Sequence, residues 1–187
     1  MLDVGCGRGD WLEVLKEAGI DAYGVEVGTG YAEHWKLAEL DVRVVDVAEH
    51  LRGLEPASLA AVTALQVVEH LRTDELLELL ERSYEALRPG GLLVLETPNP
   101  ENLTVGAFTF YLDPTHDRPI PAGLLAFLVR SQGFEDVEVR YLRRPELHGL
   151  PGIAGDAPWA EDLSPVRDVL EHLVFGAQDY AVVARRP

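Results

Sequence analysis

Met1-Leu2-Asp3-Val4-Gly5-Cys6-Gly7-Arg8-Gly9-Asp10 reads as a short apolar strand running into a turn with glycines at alternate positions. A helix opens at Asp10-Trp11-Leu12. A strand that ends in small residues leaves bare backbone for a ligand to lie against. Glycine serves there because it adopts positive φ and lets the ligand approach closely. Free N–H groups at the start of the following helix favour an electron-rich group.

Glu26 is the second half of the pattern. It closes the apolar run Ala22-Tyr23-Gly24-Val25, where a second strand is predicted to end. An acidic residue about 20 positions after a glycine loop is where nucleotide-binding βαβ units hold a ribose diol. The loop itself is GxGxG, and Asp10 stands where a dinucleotide loop carries its third glycine to clear a pyrophosphate. The competing reading is a structural glycine turn in some other α/β protein.

The LDVGCGRG string resembles motif I of the class I S-adenosylmethionine (SAM)-dependent methyltransferases. SAM carries a sulfonium and an amino-acid tail, and no phosphate. The resemblance implies an α/β, Rossmann-like fold: a seven-stranded, mostly parallel sheet of order 3-2-1-4-5-7-6, an antiparallel last strand and helices on both faces. It also implies the cofactor, SAM, and its product, S-adenosylhomocysteine. Gly5, Gly7 and Gly9 would shape the cofactor loop, Asp3 would buttress it and reach the methionine end, and Glu26 would hold the ribose. Asp46 and Val47 match the place that contacts the adenine amino group, although Asp46 also suits the cap of a helix over 48–52. Gln66 falls near the sulfonium. In the resembled family one or two helices precede motif I and cover the cofactor. Here the chain opens inside the first strand, so a partner or another part of the chain is expected to close the pocket.

At 187 residues the chain suits one domain with a sizeable core. Its net charge of −16 argues against nucleic-acid or anionic-membrane binding. Cys6 is the only cysteine, so no internal disulfide forms, and its place in the loop suits a small buried filler. With no signal peptide and no apolar run near 18 residues, a cytoplasmic protein is the default expectation.

In order, helices are predicted over 11–18, ended by Gly19, and over 31–39. Strands follow at 42–45 and 59–65. The fourth strand leads to Gln66-Val67-Val68-Glu69-His70. This run resembles the E-x-x-E-H segment of ubiquinone-biosynthesis-type O-methyltransferases, whose acids and histidine look like metal ligands. Gln66 stands in place of the first acid, and a neutral amide is a poorer ligand for a hard cation. Two readings stay open: His70 as a base or Glu69 and His70 sharing a metal, or His70 or Glu69 tying loops together. The second is preferred, and no metal is assigned. A long helix is expected over 73–87 with Thr73 as its cap. Its apolar stripe is Leu76, Leu77, Leu79, Leu80, Tyr84 and Leu87. Arg88-Pro89-Gly90-Gly91 reads as a sharp stop before a strand at 92–96.

Beyond that strand lies an irregular segment of more than 20 residues with aromatics, acids, histidine and proline, FYLDPTHDRPIP at 110–121 among them. Long loops in compact domains are usually functional. ETPNPENL, this loop and the later FGAQDYAVVARR resemble methyltransferase domains of bacterial surface-polysaccharide biosynthesis. Some of those methylate sugar hydroxyls and others a terminal phosphate. A sugar hydroxyl must lose a proton: His116 is the candidate base, oriented by Asp113 or Asp117. A phosphate needs Arg118 with His116 as a clamp. The structural alternative is a turn with satisfied side chains.

A helix over 121–132 and a strand over 134–141 follow, paired with a strand at 179–184. The insert between them, 142–178, is Pro/Gly-rich in its first half and helical over 164–174 with Ser164 as cap. It is a candidate lid, homodimer surface or membrane-proximal contact; Arg143 and Arg144 could meet an anionic glycan, although exposed paired arginines are usually a solvated face. The reading is a SAM-dependent O-methyltransferase acting on a hydroxyl or phosphate of a surface glycan or its precursor. The alternatives are a ubiquinone-type enzyme for a small molecule, or a SAM-fold domain that binds without turnover. An NAD-dependent oxidoreductase would want a lysine at its site, and the only lysines are Lys16 and Lys36.

Overall fold

The computed structural model describes residues 1–143 and 160–187. Seven strands form one sheet: β1 (Leu2–Val4), β2 (Tyr23–Glu26), β3 (Val42–Val44), β4 (Leu59–Leu65), β5 (Leu87–Pro98), β6 (Glu135–Leu142) and β7 (Asp179–Arg185). Their order is β3-β2-β1-β4-β5-β7-β6, as expected. The pairs from β3 to β5 are parallel, and β7 is antiparallel to both β5 and β6. The order reverses beside β1, which pairs with β2 on one edge and β4 on the other. A crevice opens at the carboxyl ends of the strands at such a reversal, and ligands bind there.

The strands that flank the crevice turn one face of apolar side chains into the core, while the opposite face carries the buried polar pair Asp3 and Thr63. Leu2, Val4, Val62, Ala64, Leu93 and Leu95 are all buried. Helix α1 (Asp10–Glu17) turns Leu12 and Leu15 inward, and α2 (Ala32–Leu37) buries Trp35. Helix α3 (Val47–Arg52) packs against α4 (Thr73–Ala86), which buries Leu76, Leu79 and Leu80 against the sheet. Each such leucine contributes about 2 kcal/mol by leaving water. Helices α5 (Leu103–Ala107), α6 (Ala122–Ser131) and α7 (Ala160–Phe175) complete the fold. None of the described helices is long and apolar enough to cross a membrane.

Four local expectations change. The stretch Arg88-Pro89-Gly90-Gly91 does not precede β5 but lies inside it, as an irregularity that shifts the β4 register between Leu59↔Leu87 and Ala61↔Leu92. Gly90, at φ 75, makes the kink, and the β7 end holds it: Gly90 N–H donates to the Arg186 carbonyl and Arg186 N–H to Gly91. Thr73 is the first residue of α4 and Arg72 its cap, because the Glu75 carboxylate reaches back to the Arg72 N–H at 2.8 Å. The segment after β5 is more regular than expected: Asn102 caps α5 by accepting from the Thr104 and Val105 amides, and a 3-10 turn follows at Thr109–Leu112. Helix α7 is already running at Ser164. The first half of the insert after Arg143, including Arg144, lies outside the described residues.

Candidate active site

Gly5, Gly7 and Gly9 all have positive φ, at 62°, 51° and 98°. They differ in what surrounds them. A Cβ on Gly5 would lie 2.7 Å from Val67 Cγ2, and one on Gly9 would lie 2.6 Å from Leu40 Cδ1. Those two glycines let protein pack on protein. At Gly7 a Cβ would meet nothing within 4 Å among the described residues, so this glycine faces open space there. Trp35 Nε1 donates to the Gly7 carbonyl at 3.0 Å, so α2 braces the loop from behind.

Glu26 ends β2 and turns onto the same loop. Its Oε2 accepts from Gly7 N–H at 3.0 Å, and its Oε1 accepts from Val27 and Gly28 at 2.9 and 3.0 Å. Three backbone donors hold the carboxylate at the crevice mouth, where its remaining lone pairs can take a vicinal diol. Asp3 is buried in β1, and the Thr63 hydroxyl donates to its Oδ1 at 2.6 Å. Burial pushes its carboxyl up to about 6, against the smaller downward pull of Thr63. Cys6 is buried, and burial, reinforced by the Asp3 and Glu26 carboxylates, pushes its thiol up to about 12. It is an inert filler at neutral pH.

Asp46 caps α3, its Oδ1 accepting from Glu49 N–H at 3.0 Å. With Val47 it also lines a cavity of about 360 Å³ between α3 and the start of α4, together with Leu71 and Arg72. Capping uses one oxygen and leaves the other for this space.

Gln66, just past β4, adopts φ 57, a strained conformation for a non-glycine residue. It aims the side chain at two carboxylates: Nε2 donates to Glu96 at 3.2 Å and to Asp179 at 3.1 Å. Asp179 is also paired with Arg143. Gln66, Asp179, Arg143 and His116 line a cavity of about 220 Å³ whose apolar wall is Val105 and Phe110. Nothing in the local spacing points to Asp179 or Glu96; Glu96 arrives because β5 pairs with β4, and Asp179 because β7 inserts beside β5.

The loop after β5 and the β4 end meet at a second cluster. His70 and His116 rings lie edge to face, 4.7 Å between centroids. Asp113 does not reach His116: its Oδ1 accepts the Thr115 amide and hydroxyl at 2.8 and 2.6 Å, closing a turn, and these bonds hold its carboxyl below the usual range. Asp117 does not orient His116 either; its amide donates to the Glu69 carbonyl. The group that holds the ring is the Phe110 carbonyl, 2.6 Å from His116 Nδ1. Arg118 is absent from the lining of the 220 Å³ cavity, so the expected Arg118–His116 clamp is not assembled. His70 is tied to Thr115, with Nδ1 at 3.0 Å from its hydroxyl. Glu69 is fully buried with its Oε2 accepting from Thr97 at 2.8 Å, and burial raises its carboxyl.

A switch-point crevice with an open glycine and a clamped carboxylate defines a Rossmann-like, nucleoside-binding α/β domain. Residues 1–139 match the model of a methyltransferase domain family. The crystal structure of a SAM-dependent methyltransferase from Archaeoglobus fulgidus superposes with a TM-score of 0.91 at 33% identity, over 98% of this chain and 84% of that one. A probable S-adenosylmethionine-dependent methyltransferase of Mycolicibacterium smegmatis is 29% identical over 137 residues, 72% of this chain and 51% of that protein. The ubiquinone biosynthesis O-methyltransferase of Cupriavidus pinatubonensis is 29% identical over 172 residues, 83% of this chain and 68% of the relative. The chain thus spans about half the length of the first of these curated relatives. It belongs to the SAM-dependent methyltransferases, and SAM is its cofactor. The residues fit that ligand: bare space at Gly7, a diol-sized carboxylate at Glu26, and a buried carboxylate at Asp3 suited to a cationic amine.

Proposed function

We propose that the chain transfers the methyl group of SAM to a hydroxyl of one ring-sized acceptor, a sugar of a surface glycan or glycan precursor. Bound SAM supplies a methyl carbon activated by a sulfonium. Gly7 leaves room for it, Glu26 takes the ribose hydroxyls, Asp46 and Val47 address the adenine edge, and Asp3 meets the methionine amine. What remains for the protein is alignment of the nucleophile and removal of its proton.

The observation that carries this reading is the cavity beside Gln66. At about 220 Å³ it is smaller than common ligand pockets and suits one ring. Val105 and Phe110 offer a face for C–H groups, and Gln66 and Asp179 offer polar atoms opposite. Two carboxylates, Glu96 and Asp179, against one arginine favour a neutral hydroxyl over a phosphate. His116 is the imidazole on the wall, and Nε2 is the atom left to take the acceptor's proton.

A second reading is a phenol that bears an apolar tail. It is favoured by the likeness to the ubiquinone enzymes and by Phe108, Tyr111 and Leu112, each more than 60% exposed on the acceptor loop. Methyl-labelled SAM offered with methyl hexosides, hexose phosphates and a catechol decides between them. Label in the hexosides alone supports the first reading. Label in the catechol alone supports the second, and label in the phosphates overturns the charge argument.

A further inference from the structure

We propose that Glu69, His70 and His116 bind one divalent transition-metal ion of the zinc class. The effect on catalysis rests on the acceptor reading above, whereas binding of the ion does not.

Glu69 Oε1 is buried and has no hydrogen-bond partner among the described residues. A buried carboxylate oxygen left bare is costly and calls for an explanation. Its nearest cationic candidate, His116 Nε2, stands 4.0 Å away, beyond hydrogen-bond reach. One ligand atom from each of Glu69, His70 and His116 lies within 4.8 Å of the others, a spacing that one ion bridges.

The other polar atom of each side chain is already held. Thr97 donates to Glu69 Oε2 at 2.8 Å. The Phe110 carbonyl takes the proton of His116 Nδ1 at 2.6 Å. Thr115 gives its single hydroxyl proton to Asp113 at 2.6 Å, so at 3.0 Å from that oxygen His70 Nδ1 must be the donor. Both imidazoles therefore keep Nε2 as the nitrogen with a free lone pair, and that of His116 stands 4.0 Å from the free carboxylate oxygen. Metal-binding histidines are oriented in this way, by a carbonyl or other acceptor on the far nitrogen. Two imidazoles and a carboxylate suit zinc-class ions rather than magnesium or calcium.

This is not the E-x-x-E-H set. Gln66 turns its amide to Glu96 and Asp179, and the third ligand comes from the loop after β5. The ion would staple that loop, which carries Phe110 and His116, to the end of β4. It would also occupy the nitrogen otherwise free to accept the acceptor's proton, so loaded and metal-free protein should transfer at different rates.

The test is titration of the chelator-stripped chain with Zn²⁺ alone by calorimetry, with Co²⁺ absorption as a report on ligand geometry. One ion per chain is expected. His70→Asn and His116→Asn should each weaken it on the order of 100-fold, and Thr115→Ala, which removes only an outer partner, about tenfold. Glu69→Gln disturbs a buried site, so the decisive variant is His70→Asn, whose side chain is only partly buried. Absence of saturable Zn²⁺ binding overturns the inference. So does affinity unchanged in both histidine variants, the outcome expected of scattered surface acids. A parallel titration with S-adenosylhomocysteine separates the two readings: if it binds while Zn²⁺ does not, the cofactor site stands and the metal site falls.

Discussion

Glu26 Oε2 accepts the Gly7 N–H at 3.0 Å, joining the end of β2 to the one loop glycine that faces open space. The same carboxylate accepts from Val27 and Gly28, so it is a structural clasp as well as the proposed ribose ligand. Glu26→Ala removes both roles. S-adenosylhomocysteine affinity should fall about 10- to 100-fold, the scale of one or two hydrogen bonds to a charged group. Glu26→Gln keeps one acceptor oxygen and should sit between. Calorimetry checks both, and equal affinity in all three proteins would sink the assignment.

The glycines separate packing from ligand space. Gly7→Ala meets no protein atom, so it should cost only the strain of a positive φ, about 1–2 kcal/mol, while abolishing measurable cofactor binding. Gly9→Ala adds a contact at 2.6 Å with Leu40 to an equally unfavourable φ of 98° and should destabilise more. Thermal melts with and without S-adenosylhomocysteine read both effects. A Gly7→Ala protein that still gains Tm on ligand addition would contradict the assignment.

Asp3 makes stability depend on pH. Its folded value of about 6 lies above the ordinary 3.8, so between those values the folded chain holds a proton that the unfolded chain has released. Stability therefore falls as pH climbs through that window, and above it ionised Asp3 costs on the order of 3 kcal/mol. Asp3→Asn keeps an oxygen for Thr63 and removes the charge. It should melt higher than the parent at pH 8, show no advantage at pH 4, and bind S-adenosylhomocysteine more weakly at pH 8. An equal difference in Tm at both pH values would show that ionisation is not the cause.

Trp35 holds the cofactor loop without touching the crevice side of it. Trp35→Phe keeps most of the buried surface and loses only the bond to the Gly7 carbonyl. One neutral hydrogen bond is worth about 1 kcal/mol, so affinity for S-adenosylhomocysteine should drop about fivefold. Unchanged affinity would mean that the loop holds its shape without this brace.

Legibility followed the range of the signal. The apolar runs at 2–4, 23–25 and 59–65, the glycine loop and the acid at Glu26 are local patterns, and all reappear as β1, β2, β4 and the crevice. Arg88-Pro89-Gly90-Gly91 was misread because proline and glycine punctuate chains locally, whereas β7 supplied partners that carried the strand through the kink. Proximity in sequence pairs Asp113 or Asp117 with His116. In space a closer donor, the Thr115 amide and hydroxyl, takes the Asp113 carboxylate.

By itself the sequence determined the strand-turn-helix that opens the chain, the acid that ends the second strand, and through them the class of cofactor. Those features need only residues a few positions apart or one βαβ unit, and periodicity and glycine stereochemistry report on them directly. Only the tertiary structure decided that Gln66 faces Glu96 and Asp179, and that Glu69, His70 and His116 share one corner. Those meetings depend on how β7 inserts beside β5 and how the loop after β5 folds back over β4, and no local pattern encodes a distance between such remote segments.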